Sequence, residues 1–263
     1  MAEYSYDPGS SRNQSVNKTL AILSTFNEAT PMQRTSEIAA RLGLHISTVS
    51  RHLNTLLDSG FLSRDDDTGY YYPGIKIVSL AGITLQNTDV YRHSYSEIQA
   101  LAHSAKVYSH MSIPDGTDIV HLICISGKSS NDLMIPMGHR HPMYCSAMGR
   151  IILAYMPKDQ VSSILKRSHL EKHTAETLIS EPEICQEIEK ARKQGYCVLQ
   201  NELTHGVASV AAPVFNRSRI PVAAISISTS IWRLDQPQSE RELSKAVISA
   251  ANNISGKLGY YPR

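Results

Sequence analysis

The 23 residues from Thr35 to Leu57, TSEIAARLGLHISTVSRHLNTLL, constrain this chain more than any other stretch. They read as two short helices, about Ser36–Leu42 and Ile46–Leu57, with a tight turn between them. Thr35 or Ser36 can cap the first with a side-chain oxygen, and Glu37 suits the positive end of its dipole. Gly43 ends it, as a glycine in the left-handed region does. Two helices that cross closely need a small residue at the crossing and a turn residue of positive φ. They also need a branched apolar residue facing back. Ala39, Gly43 and Val49 supply these at the spacing of a helix-turn-helix. Ser47, Thr48, Ser50, Arg51, His52 and Asn54 are then left on exposed faces, and these residue types bond phosphates and base edges.

The flanks extend the motif. Val16–Glu28 is an amphipathic helix carrying Val16, Leu20 and Leu23, and less regularly Ile22 and Phe26, capped by Ser15 or Asn17. After Gly60, Phe61-Leu62 starts a strand. Asp67-Thr68-Gly69 turns, and Tyr70-Tyr71-Tyr72 returns. Three helices and a hairpin make a winged helix-turn-helix over residues 15–74, behind a polar tail at 1–14. Charge does not argue for nucleic acid here. Residues 1–90 hold seven Lys/Arg and nine acids, without the basic footprint of a nucleic-acid binder. The reading rests on motif geometry and on local basic residues. Thr35 and the wing residue Arg64 join the recognition set, with Tyr70 and Arg12 as outlying contacts.

Ile75–Thr88 is a mostly apolar helix that needs a cover, taken as a linker and dimerisation helix over 75–92. From residue 93 the pattern changes to a larger α+β unit of antiparallel strands and helices. SYSEIQALAHSA reads as a helix and DIVHLICIS as a strand. DLMIPMG reads as a second strand, and HRHPMYCSAMGRIILAYMP as a loop entering a helix. KDQVSSILKRS and EPEICQEIEKARKQG are helices, and YCVLQNEL, VASVAAPVFN and IPVAAISISTS are strands. Glu240–Leu258 is a final helix.

Several function classes lose support. No apolar run reaches the about 18 residues of a membrane span, and the N-terminus lacks the pattern of a signal peptide. The four cysteines form no CxxC pair, which favours reduced thiols in the cytoplasm. Ser163-Ile164-Leu165-Lys166 fits S-x-x-K but lacks the partner motifs, and no G-x-S-x-G, P-loop or H-E-x-x-H occurs. Asp65-Asp66-Asp67 lacks the later ligands of a calcium loop. His139 and His141 flank Arg140, whose charge opposes a metal. His169 and His173, four apart on a helix, lack a carboxylate in the metalloprotease position. The expectation is no metal, no cofactor and no enzyme.

The order of segments resembles the IclR family of bacterial transcriptional regulators from Ser15 to the C-terminus. SVNKTLAILSTF, SEIAARLGLHISTVSRHLNTLLDSGFL, YYYPGIKIVSLA, HPMYCSAMGRIILA, GYCVLQNEL, HGVASVAAPVF and AAISIS carry the resemblance. It implies a winged helix-turn-helix, a linker helix and a GAF-like effector domain. Its implied partners are promoter DNA, a small carboxylate effector and further copies of the chain, as a dimer or tetramer; RNA polymerase is a further candidate. The YCSAMGR segment looks like the subgroup controlling aromatic-acid breakdown through the β-ketoadipate pathway.

By the same resemblance the effector site includes Ala147 and Met148 at a helix start, with Ser209, Ser226 and Ser228. Ser226 and Ser228 alternate on one strand and so share a face. Arg140 offers a bidentate partner for a carboxylate, and Tyr144 and Met111 are further lining candidates. A glyoxylate-responsive member has cysteine and aspartate where this chain has Ser209 and Leu199, which makes this pocket less acidic and more apolar. Glu202 matches a family acid that ties its strand to a neighbour. The function implied is a ligand-responsive regulator binding an inverted-repeat operator. The alternative is a small-molecule-binding enzyme or metabolite carrier with a degenerate winged domain.

Overall fold

The computed structural model describes residues 13–127 and 133–261. Arg12 and the rest of the first twelve residues lie outside the described set. The chain divides into two compact units between Asn87 and Thr88.

The first unit begins with α1 (Gln14–Ser24), α2 (Thr35–Leu42) and α3 (Ile46–Asp58). Strands β1 (Leu62–Arg64) and β2 (Tyr71–Pro73) pair antiparallel as the wing, and α4 (Ile75–Gln86) follows. Ile22, Ile38, Ala39, Val49, Leu53, Leu56, Leu62 and Tyr71 form its core. Gly43 takes φ +62° at the end of α2, the left-handed conformation the turn requires. Helix α2 starts one residue earlier than the sequence suggests. Arg34 is its N-cap, and the Arg34 N–H donates to the Glu37 carboxylate at 2.6 Å. Helix α1 is likewise preceded by Asn13 and not capped by Ser15 or Asn17. Its buried residues are Ala21 and Ile22, while Val16 and Leu20 stay exposed. Gln33 and Tyr71 exchange two backbone hydrogen bonds and so fasten the wing to the entrance of α2.

The second unit runs α5 (Asp89–Ala105), β3 (Tyr108–Asp115), β4 (Asp118–Ser126), β5 (Arg140–Pro142) and a single 3-10 turn, Met143–Cys145. It continues with α6 (Ala147–Leu153), α7 (Lys158–Arg167), α8 (Glu181–Gln194), β6 (Cys197–Gln200) and β7 (Val207–Phe215). β8 (Pro221–Ser230), a single turn α9 (Ile231–Leu234) and α10 (Ser239–Lys257) complete it. Six antiparallel strands form one sheet in the order β5-β4-β3-β8-β7-β6. Helices α5 and α10 pack on each other and on the sheet. On the face bearing Ala211 and Ala224, residues of α6, α7 and α8 close a second core with Ile151, Ile152, Leu165, Ile184 and Ile188.

Three sequence readings change here. The described part of DLMIPMG forms no strand; the partner of β4 is the shorter β5. β3 went unread because YSHMSIPD carries polar residues inward. His169 and His173 lie beyond α7, which stops at Arg167, so they do not share a helix.

Candidate functional site

Helix α3 presents Ser47, Arg51 and Asn54 to solvent, with Thr48 and Ser50 half-buried. His45 caps the helix: its Nδ1 accepts from the Ser47 N–H at 3.3 Å and lies 2.7 Å from Ser47 Oγ. His52 departs from the sequence reading. It is buried, with Nδ1 2.9 Å from Thr19 Oγ1, because its position on α3 turns toward α1. It therefore joins α3 to α1. Burial, then the nearby charges of Arg51 and Lys18, hold its pKa below the ordinary imidazole value. Thr35 is half-buried in the first turn of α2. On the wing, Arg64 is exposed above the Tyr71 ring, and the Arg34 guanidinium sits 4.7 Å over the Tyr70 ring. Arg41 is committed to structure, donating to the Thr25 carbonyl and to Thr30 Oγ1. Three of the nine acids, Asp65, Asp66 and Asp67, lie at the wing tip. There Asp65 accepts from the Thr68 N–H and hydroxyl.

In the second unit a cavity of about 240 Å³ opens between the sheet and the start of α6. Its floor crosses three strands. His110 of β3 stands opposite Ser226 of β8, and Ser228 opposite Ser209 of β7, with the two hydroxyls 2.9 Å apart. Ala147 and Met148 line the opposite wall; Ser146 Oγ caps α6 by accepting the Gly149 N–H. Leu199, Leu203 and Val207 add apolar surface at one end, and His121 and His141 close another.

Among the described residues, the charged lining residue of this cavity, Glu202, is paired. Glu202 on the wall takes both terminal nitrogens of Arg150, at 2.6 and 2.5 Å, and the Leu178 N–H at 3.2 Å. Arg150 is only 1% exposed and also donates to the Tyr144 carbonyl. Glu202 thus ties its segment to α6.

Arg140 does not reach the cavity. It bonds Asp115 and Asp118 of the β3–β4 hairpin, because alternation along β5 sends it to the face opposite His139 and His141. Tyr144 is also displaced from the lining. Its hydroxyl donates to the Glu171 carbonyl and accepts the Glu171 N–H. Met111 is buried one residue out of phase with His110 and faces away. Ala147, Met148, Ser209, Ser226 and Ser228 do share the cavity.

Sequence reasoning missed His110 and His121 and set His139 and His141 aside because they flank Arg140. His110 is 1% exposed. His121 Nε2 lies 2.9 Å from His141 Nδ1, and His139 Nε2 lies 2.9 Å from His141 Nε2. Burial lowers His110 to about 4; burial, then neighbouring imidazoles, lower His141 to about 3 and His121 to about 2. His110, His121 and His141 are therefore neutral near pH 7. The signal was available in the alternation of His139 and His141. Burial also pushes the Cys145 thiol on the wall up to about 12, so it is no ready nucleophile.

A helix-turn-helix unit and a separate unit with a small-molecule-sized cavity define a one-chain regulator. Comparison with known proteins makes the assignment specific. Residues 15–66 match the IclR helix-turn-helix domain, and residues 82–256 match the bacterial transcriptional regulator IclR C-terminal domain. The chain belongs to the IclR family and is a ligand-responsive transcriptional regulator, not an enzyme.

Among its relatives is the HTH-type transcriptional regulator KdgR of Escherichia coli (strain K12), 28% identical over 99% of this chain and 98% of that protein. Another is the Pca regulon regulatory protein of Pseudomonas putida, 27% identical over 93% of this chain and 84% of that one. The same fold occurs in the IclR transcriptional regulator from Alicyclobacillus acidocaldarius (TM-score 0.83, 24% identity, 93% of this chain and 98% of that one). It occurs also in an IclR homolog from Microbacterium hydrocarbonoxydans complexed with 4-hydroxybenzoate (TM-score 0.80, 18% identity, 93% of this chain and 98% of that one).

Proposed function

We propose that this chain binds an inverted-repeat operator as a dimer and releases or rearranges on it when a small, preferably aromatic, acid enters the cavity of its second unit. Ser47, Thr48, Ser50, Arg51 and Asn54 of α3 read and hold the DNA, with Thr35 and Arg64 on phosphates. Arg51 is suited to a guanine edge or a phosphate. α4 supports the dimer. Within its unit it leaves Ile75, Val78 and Ile83 more than half exposed, an apolar face that a second copy would cover. The operator then repeats at about one helical turn. Such a regulator works in the cytoplasm, where RNA polymerase is a further partner at the promoter.

The observation that carries the effector reading is the cavity itself. Its volume equals about eight waters at liquid density, the scale of a substituted benzoate. Its lining offers serine hydroxyls and neutral imidazoles as donors beside apolar walls, and its acid, Glu202, is already neutralised by Arg150. The Pca regulon relative and the 4-hydroxybenzoate complex support an aromatic acid as the first candidate.

The test is a gel-shift titration of promoter fragments at fixed salt, with and without 4-hydroxybenzoate, protocatechuate and aliphatic dicarboxylates. A thermal-shift screen of the full chain runs in parallel. An aromatic acid should raise the melting temperature and change operator affinity together. Stabilisation only by aliphatic acids would remove the aromatic assignment; lack of salt-sensitive DNA binding would remove the operator.

A further inference from the structure

On the acid-sensing reading, we propose that His141 becomes the positive counter-charge of an anionic effector: a proton enters the cavity with the acid and settles on His141, between His121 and His139.

A carboxylate that leaves water needs an opposite charge or several donors, because burying it unpaired is costly. Among the described residues, no Lys or Arg lines the cavity. The Arg150 guanidinium is spent on Glu202 and on the Tyr144 carbonyl. The lining groups that can become cations are the imidazoles of His110, His121 and His141.

Their hydrogen bonds single out His141. The His121 N–H donates to the His139 carbonyl at 2.9 Å, and His141 lies two residues beyond His139 on the same face. The His141 ring turns its two nitrogens to two different imidazoles. Nδ1 meets His121 Nε2 and Nε2 meets His139 Nε2, each at 2.9 Å. A neutral imidazole donates from one nitrogen and accepts at the other. A charged His141 donates from both, and its neighbours accept on Nε2 while carrying their own hydrogens on Nδ1. Neither hydrogen bond is lost, and both become charge-assisted. His121 offers no such seat: its Nδ1 is buried without a hydrogen-bond partner, so a charge there leaves one N–H bare. His110 is 1% exposed, and burial opposes a proton on it throughout. His139 is partly exposed, which gives the row a path to solvent.

The other titratable groups around the row do not supply the charge. Burial holds the thiols of Cys124 and Cys145 protonated. Glu202 is bonded to Arg150, and His173 Nε2 lies 3.3 Å from the Tyr144 hydroxyl. Asp115 and Asp118 hold Arg140 on the opposite face. In the empty cavity burial, then the neighbouring imidazoles, keep His141 neutral. A carboxylate about 4 Å away opposes both effects. With its nitrogens engaged, His141 meets the anion through its charge and ring edge, not through an N–H.

The experiment uses the full chain and whichever of 4-hydroxybenzoate, protocatechuate and succinate raises its melting temperature most. Calorimetric titration in two non-carboxylate buffers of different ionisation enthalpy counts the protons taken up. Uptake should rise from near zero at pH 7 to near one per ligand at pH 5, and Kd should fall about tenfold over that range. That size follows from the attraction of unit charges about 4 Å apart, acting on a group that starts at about 3. His141→Gln should bind at pH 7 but lose both the uptake and the pH dependence, whereas a merely structural role would weaken binding alike at both pH values. Its melting curve without acid checks the fold. A measurement on the wild-type chain covers a variant that misfolds: with ¹⁵N-labelled histidine, the acid at pH 5 should bring one imidazole to the form with both nitrogens protonated. Acid binding without proton uptake overturns the counter-charge and leaves acid sensing intact. Uptake undiminished in folded His141→Gln, or no newly protonated ring in the labelled chain, overturns it too. If none of the three acids binds, the acid-sensing reading falls, and the counter-charge with it.

Discussion

Replacing Glu202 with leucine strands the Arg150 guanidinium in the core of the second unit. Arg150 is 1% exposed and Glu202 11%, and two short charge-assisted hydrogen bonds join them. Breaking a buried pair from one side costs about 3–5 kcal/mol, because the remaining charge is left desolvated. The partial exposure of Glu202 places this variant in the lower half of that range. The Leu178 N–H also loses its acceptor. For a unit of this size the loss lowers Tm by roughly 6–16 °C.

The double variant Arg150→Met/Glu202→Leu removes both charges and should recover most of the loss, since apolar groups of similar volume often replace such a pair at little cost. It leaves the Tyr144 carbonyl without its Arg150 donor, which costs about 1 kcal/mol. Urea unfolding at one fixed protein concentration measures all three proteins, because association would otherwise shift the apparent stability. A Glu202→Leu cost below about 1 kcal/mol would refute the charge argument. A double variant no better than the single one would show that shape, and not charge, matters at this contact.

Arg51→Ala should abolish operator binding in a gel shift while leaving the unfolding curve within about 0.5 kcal/mol of wild type, since the side chain is exposed. His52 makes the stability of the first unit pH-dependent. Its folded pKa is lowered, so its contribution is complete above about pH 6.5 and is lost as pH falls toward the folded value. Unfolding of the isolated residues 13–87 should show this slope, and His52→Gln should flatten it. Gly149→Ala should destabilise the second unit by several kcal/mol, measurable by calorimetry. Its Cβ would lie 2.3 Å from Met143 Cα and 2.5 Å from the Met143 carbonyl, backbone atoms that cannot turn aside.

The helix-turn-helix was legible because its requirements are local. Gly43 must reach positive φ and Ala39 must be small whatever the rest of the chain does. His52 was misread because helix periodicity alone does not say how far α1 wraps around α3; the bond to Thr19, 33 residues away, decides it. The same limit hid the cavity of the second unit. Ser226 and Ser228 could be placed on one face from their spacing, but not the strand across from them. His110 and His121 sit in strands whose neighbours are fixed only by tertiary pairing. Arg140 shows the reverse error: a suitable side chain at a suitable place in sequence, already engaged by two aspartates.

The register of β8 has a consequence for how such a sensor changes its preference. Ser226 and Ser228 meet the cavity, while Ile225 and Ile227, fully buried, point to the other side of the sheet. One strand thus carries two interleaved rows of side chains, one lining the cavity and one holding the unit together. Swapping hydroxyls for methyls or amides at the even positions changes the chemistry of the cavity floor without disturbing the odd ones, so under the proposed function new specificities lie a few substitutions away on an unchanged scaffold.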